Sequence, residues 1–363
     1  AGAAAPVHRS LDRALSTERA GEQTMTAAAE PAAPYAEAPR QPDPDVPRTI
    51  TAPATNGDRV FRGLLRTAGL SVFAIMGLIA FFLILRGAEA LKAVGLDFFT
   101  EQKWQTQAHN FGIAAVLPNG ILIALIALVI AVPVALAAAI FISEYAPVRL
   151  RAALISLVDL MAAIPSIVYG LWGLFFLQPR IIGLSRWLSN HVGDAIPFLK
   201  VRTGDIGTSY TSSTFIAGVV VSLMIIPIIT SLSREVFSQA PQGEREGAFA
   251  LGSTRWGMVR TVVLPFGRGG VIGAVMLGFG RAMGETIAVA LIISPSFRPM
   301  THILENGGNS ISALIALRFG ESDSLSLSAL MAAGLVLFAL TLLVNVGAGF
   351  VINRSRSGAA TAD

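Results

Sequence analysis

The chain contains no cysteine and only three lysines, Lys92, Lys103 and Lys200. The first absence excludes disulfide frameworks, thiolate zinc sites, iron–sulfur clusters and cysteine nucleophiles. The second bears on ATP: no lysine stands in a Gly-x-x-x-x-Gly-Lys-Ser/Thr loop, so the chain lacks that phosphate-cradling device. Charge is scarce as well. Asp, Glu, Lys and Arg make up 14% of the 363 residues, against about 25% in a soluble domain, while 53% are hydrophobic. The four histidines, His8, His109, His191 and His302, are never three or four residues apart, so no helical metal pair is expected. In so apolar a chain the net charge of +4 is read as setting membrane orientation, not as a nucleic-acid footprint.

What is present falls into two parts. Residues 1 to about 58 hold eight prolines, many alanines and scattered charges, and with so little to bury they are expected to form a disordered cytoplasmic tail. The tail has no continuous apolar core and so does not read as a cleavable signal. Met25 is the first methionine, and the residues before it carry no weight in the functional reading. Residues 357–363 are likewise expected to be disordered. Between these ends, stretches with few ions are long enough to cross a bilayer, which needs about 20 apolar residues per helix. They place six spans at about 64–85, 113–143, 152–178, 212–233, 268–294 and 326–352, an all-α polytopic membrane protein. Three ionisable groups, Asp159, Arg281 and Glu285, lie well inside them.

Arginines set the expected orientation. Arg59, Arg62 and Arg66 precede the first span, Arg149 and Arg151 follow the second, and Arg354 and Arg356 follow the last. Arg234, Arg245, Arg255, Arg260 and Arg268 crowd the loop after the fourth. These sides, with both termini, are expected in the cytoplasm. The opposite loops carry Arg180, Arg186, Lys200 and Arg202, which read either as solvated charges or as a lure for an anion. Pro133, Pro165 and Pro227 are expected to kink their spans. Gly269/Gly273 and Gly280/Gly284 are expected to let the fifth helix approach a neighbour closely.

The loop after the fourth span reads GEREGAFALGSTRWGMVRTVVLPFGRGG. Small residues suit a short helix seated in a groove, Gly252 permits a turn, and Pro265 is expected to stop the segment before the next span. The spacing resembles the EAA loop of binding-protein-dependent ABC importer permeases. Glu246, Ala248, Gly252, Val262, Leu264 and Pro265 stand at its offsets, and Gly247 replaces the usual alanine. The resemblance implies the type I ABC importer permease fold. It also implies a coupling loop at 242–265, in which Glu246, Gly247, Ala248, Gly252, Leu264 and Pro265 engage a separate ATPase dimer. ATP would then be bound by that partner, with no catalytic residue and no cofactor in this chain.

Arg281 and Glu285 are four residues apart and, on an unbroken helix, share one face. Counted from Gly269, Arg281 lies about 18 Å along the axis. A charge at that depth costs roughly 2.5–3.5 kcal/mol on insertion scales, so both groups should face protein or water. They read either as a structural ion pair or as a gated anion site, in which an oxyanion competes with Glu285 for the guanidinium fork. GRAMGETIAVALII at Gly280–Ile293 and VDLMAAIPSIVYGLWGLF at Val158–Phe175 are similar to the phosphate importer permeases. The resemblance runs from about Arg62 to Asn353. REVFSQAPQGEREGAFALG, Arg234–Gly252, looks more like the PstC-type than the PstA-type subunit. It implies a bacterial inner-membrane permease working by alternating access with a PstA-type second permease and an extracytoplasmic phosphate-binding protein. Arg281, Glu285 and Asp159 would lie along the path. The competing readings are a permease for sulfate or molybdate, a secondary transporter, and an intramembrane enzyme.

Overall fold

The computed structural model describes residues 55–105, 110–202, 206–298 and 301–356. The tail up to residue 54 and the segment 357–363, both expected to be disordered, lie outside the described residues. The chain divides into two compact units, residues 1–64 and 65–363, and the bundle belongs to the second. Helix α1 (Asn56–Val94) opens inside the stretch assigned to the tail. Its first turn is capped by Asp58, whose carboxylate accepts the Thr55 N–H at 3.2 Å.

Among the described residues, six helices are long and apolar enough to cross a membrane. The first is α1, and the second joins α3 (Val116–Ile140) to a wide π turn at Phe141–Tyr145. Between them lie the short α2 (Asp97–Thr100) and a two-stranded ribbon, in which Trp104 pairs with Phe111. The third span joins α5 (Ser166–Trp172), a π turn at Gly173–Leu177 and α6 (Gln178–His191). It is preceded by α4 (Val148–Ala163), which has no buried residue. The fourth is α7 (Thr214–Ser238). After α8 (Gln242–Ala250), the fifth joins α9 (Arg255–Met258), a π turn at Val259–Val263 and α10 (Leu264–Gly284). Then come α11 (Ile287–Ile292), α12 (Ile311–Arg318) and the last span, within α13 (Ser324–Arg356).

Two spans are broken where charge counting sees continuity. The stretch 152–178 divides at Ile164 and Pro165, whose ψ angles of 127° and 140° are extended. Pro165 brings no N–H and pushes the residue before it out of the helical region. Helix α10 ends at Gly284, and Glu285 takes an extended ψ of 127° before α11 begins. Pro133 and Pro227, by contrast, lie inside continuous helices. Pro265 does not stop the loop either. The helix runs on from Arg255 to Gly284, because the wide turn just before Pro265 takes up the missing N–H. There the Leu264 N–H reaches back five residues to the Val259 carbonyl.

The core packs small against branched residues, most of them from four helices. On α3, Ala124, Ala127, Ala131 and Ala135 are fully buried and pack with Ile216, Val220 and Ile225 of α7. Ala274 and Ala282 of α10 and Val289 of α11 extend the cluster, with Ile181 of α6 and Ala313 of α12 at its margins. In lipid, side chains gain nothing by leaving the solvent for each other, so close approach of small residues has to hold helices together. The glycines that permit it are not the expected Gly280/Gly284, which have open space or a single 3.8 Å neighbour. They are Gly267, Gly270 and Gly278, where an added Cβ would come within 2.4–2.8 Å of Phe237, Val236 and Ile229 of α7.

Candidate coupling loop and transport path

Helix α8 carries Glu244 in its first turn, where a carboxylate favours the helix dipole, and Glu246 at its middle. None of its residues is buried: Glu246 and Gly247 face outward, and Ala248 is half-buried against a small cluster of Phe237, Met258, Val259 and Val263. The helix ends in a Schellman turn. Gly252 sits at φ +80°, its N–H donates to the Phe249 carbonyl at 2.9 Å, and the Ser253 N–H reaches the Ala248 carbonyl at 3.0 Å. Only glycine takes that φ without strain, so Gly252 fixes the angle between α8 and α9. Thr254 then caps α9, accepting the Gly257 N–H at 3.1 Å. Around Glu246 the surface is unusually apolar: Leu251 is 91% exposed, and Phe249 and Trp256 are also open. Leu264 is half-buried at the head of α10 and Pro265 is exposed beside it.

A contact that motif spacing missed ties this loop to the bundle. Arg245 donates through Nη1 to Glu144 Oε2 at 3.0 Å and through Nη2 to the Phe237 carbonyl at 2.6 Å. Glu144 belongs to the π turn that ends α3, and its side chain is only 4% exposed. The same turn receives Arg151 of α4, which donates to the Ser143 carbonyl at 2.9 Å, and Arg255 of α9, which lies 5.9 Å from the Tyr145 ring centre. The one signal in the sequence was an acidic residue bordering the arginine-dense end of the second span.

The three candidate path residues are not brought into one cluster of contacts. Among the described residues Arg281 forms no ion pair with Glu285, because the break after Gly284 removes the shared helix face. Glu285 is 6% exposed and caps α11, its Oε1 accepting the Ala288 N–H at 3.4 Å. Its backbone carbonyl accepts the Ser312 hydroxyl at 2.7 Å. A buried polar layer continues from there, with Ser312 bonded to Ser310 at 3.1 Å and Thr214 donating to Asn119 at 3.0 Å. Arg281 is exposed in the last turn of α10, and Asp159 is exposed on α4. Three of the loop cations read as a possible anion lure are engaged locally. Lys200 donates to Asp194, Arg180 donates to the Phe176 carbonyl at 2.9 Å, and Arg186 lies 5.8 Å from the Tyr210 ring centre. The Lys200 hydrogen bond and charge hold the Asp194 carboxyl below its ordinary value.

Residues 131–357, from the second half of α3 past the end of α13, match the family described as binding-protein-dependent transport system inner membrane component. The chain belongs to that family. As such it is a multi-pass membrane protein and a transport subunit. This permease is 42% identical over 300 residues to the phosphate transport system permease protein PstC 2 of Mycobacterium tuberculosis, covering 82% of this chain and 92% of that one. It is 39% identical over 298 residues to the phosphate transport system permease protein PstC of Xylella fastidiosa strain Temecula1, covering 82% and 91%. Among solved structures it resembles a bacterial ABC transporter involved in the import of the acidic polysaccharide alginate, with a TM-score of 0.51. The identity there is 16%, over 82% of this chain and 99% of that one, so the likeness is of fold alone. The six-span ABC importer permease fold expected from the loop is therefore the fold found.

Proposed function

We propose that this permease is one of two membrane subunits of an ATP-driven importer of inorganic phosphate, paired with a PstA-type permease. An extracytoplasmic phosphate-binding protein delivers the ion, and two ATPase subunits on the cytoplasmic side drive alternating access. The observation that carries the substrate reading is Arg281. It is an exposed guanidinium in the last turn of an apolar span, with no carboxylate partner among the described residues. A cation left open at that depth is costly unless water or an anion reaches it, and its fork suits phosphate oxygens. Phosphate in the names of relatives up to 42% identical supports the same ion. Glu285, buried as the cap of α11, holds the break that presents Arg281. Asp159 lies along the path on α4.

The ATPase docks on α8. Its support is the outward face carrying Glu246 and Gly247, bordered by Phe249, Leu251 and Trp256, on a helix with no buried residue. Ala248 seats the helix on the bundle, Gly252 sets its angle, and Leu264 and Pro265 carry its motion into α10. The arginine-dense end, with both termini, faces the cytoplasm.

The test is uptake by proteoliposomes holding this permease, the second permease, the ATPase and the binding protein. Arg281→Gln should lower phosphate uptake at least a hundredfold while the complex still assembles. Unchanged uptake would remove Arg281 from the path, and failure to assemble would return it to a structural role. Inhibition of uptake by sulfate or molybdate more strongly than by unlabelled phosphate would favour another oxyanion.

A further inference from the structure

We infer that Arg245 and Glu144 form a strut that delivers the movement of α8 to the end of α3. The π turn Phe141–Tyr145, not the chain connection through α9 alone, is then the receiver of the power stroke. The inference rests on the proposed ATPase docking.

Helix α8 is poorly anchored for a part that must transmit force. It buries no residue, the apolar side chain it packs on the bundle is the small one of Ala248, and it turns away at Gly252. What holds it is the Arg245 side chain. That guanidinium reaches away from the exposed face and is bonded at once to the carboxylate of Glu144 and to the Phe237 carbonyl in the last turn of α7. One side chain thus joins three elements. Glu144 is almost wholly enclosed, and of its two oxygens Oε2 takes Arg245 while Oε1 is buried without a partner. Removing Arg245 would leave that carboxylate enclosed without its partner, which is costly.

The convergence on the turn is the second part of the case. Arg151 from α4, Arg245 from α8 and Arg255 from α9 all reach residues 143–145. A π turn is a wider and less regular helical register than its surroundings, a place where an α-helix readily changes geometry. From the turn, α3 runs back along α7 with its buried alanine face to Asn119 in its first turn, which accepts the Thr214 hydroxyl at the opposite end of the pair. Displacement of the turn is therefore passed along a rigid, closely packed helix. Arg245 is a positioning residue: it touches neither ATP nor the transported ion.

The absence of cysteine from the chain permits a reversible test. The full complex is reconstituted with cysteine-free partners, and phosphate moved per ATP hydrolysed is measured. Arg245→Met should lower that ratio about tenfold while the ATPase still co-purifies and hydrolyses ATP. In the double variant Arg245→Cys/Glu144→Cys the ratio should also fall. Bridging the two thiols with a short bis-thiosulfonate linker should restore most of it, and a reductant should abolish the rescue. A merely structural role would not be switched on and off in this way. An unchanged ratio in Arg245→Met, or a bridged double variant that stays uncoupled, would overturn the strut. Arg245→Lys, which keeps the charge but replaces the rigid guanidinium fork with a single ammonium, should give an intermediate ratio and guards against misfolding of the methionine variant. The unmutated complex reports separately on the reading beneath: no ATP-dependent uptake there would refute the proposed function itself.

Discussion

Helices α1 and α7 have almost the same mean hydropathy and sit in opposite environments. In the most apolar 18 residues of α7, 61% are buried within the chain; in those of α1, none are. The difference lies in side-chain size and polarity. Helix α7 carries Gly218, Ser222, Thr230 and Ser233 on buried positions; Gly218 lies against Ile126 of α3 and Thr230 donates to the Ala135 carbonyl, while α10 brings its own glycines to the other side. Helix α1 presents Leu70, Phe73, Leu78, Phe81 and Phe82 outward, more than 45% exposed each, and meets the bundle near its end. There Gly87 lies against Ala332, and the Ser328 hydroxyl bridges the ladder of α1. It donates to the Arg86 carbonyl at 2.5 Å and accepts the Ala90 N–H at 3.0 Å. Hydropathy therefore identifies a span, and small polar residues identify which span is central.

One pair of glycines separates the two helices most sharply. A side chain added at Gly218 of α7 would place its Cβ 2.5 Å from Ile126 Cγ2, whereas Gly77 of α1 has nothing within 4 Å. Gly218→Leu should destabilise the isolated permease by about 1–3 kcal/mol through overpacking. Gly77→Leu should be neutral or stabilising by up to about 1 kcal/mol through helix propensity. Thermal unfolding in lipid nanodiscs measures both, and equal losses would mean that α1 is packed by this chain after all. A smaller effect sharpens where α1 docks. Ser328→Ala should cost about 1 kcal/mol and speed hydrogen exchange at the Ala90 amide, leaving amides earlier in α1 unchanged.

The smallest effect belongs to the polar loop between α6 and α7, outside both helices. The Asp194 carboxyl is held below its ordinary 3.8 by the hydrogen bond and charge of Lys200. Its folded value is lowered, so the contribution is intact above the unfolded value and fades as pH falls through the folded one. Both groups are exposed, and melting between pH 7 and 5 should not move through this pair. Lys200→Met should raise the Asp194 titration midpoint, read by carbon NMR of the carboxyl. A midpoint that stays put would show that Lys200 is not its cause.

Much of the fold was legible because a bilayer imposes one rule, uninterrupted apolar length, on every span. The Gly252 turn was legible for a similar reason, since its chemistry is contained within a few residues. A kink at Pro165 was expected from its missing N–H, but the full breaks there and after Gly284 were not, because a single extended residue leaves the hydropathy of a whole span almost unchanged. The proposed anion site suffered from the same blindness. An i, i+4 pair was drawn on a helix that ends between its members, and Glu285 spends its carboxylate on the Ala288 N–H. Arg245 was visible as one cation among five in its loop, but its partner lies 101 residues away. Nothing local to either residue encodes that distance, and only the packing of α8 under the ends of α3 and α7 brings them together.

Under the proposed function, this permease moves phosphate only when a separate ATPase is supplied with ATP. The most direct test is radiolabelled phosphate uptake into proteoliposomes of the complete complex with the binding protein outside and ATP or a non-hydrolysable analogue inside. Phosphate should accumulate against a gradient with ATP and not with the analogue. Accumulation that persists with the analogue, or is driven by an ion gradient alone, would contradict the proposed function.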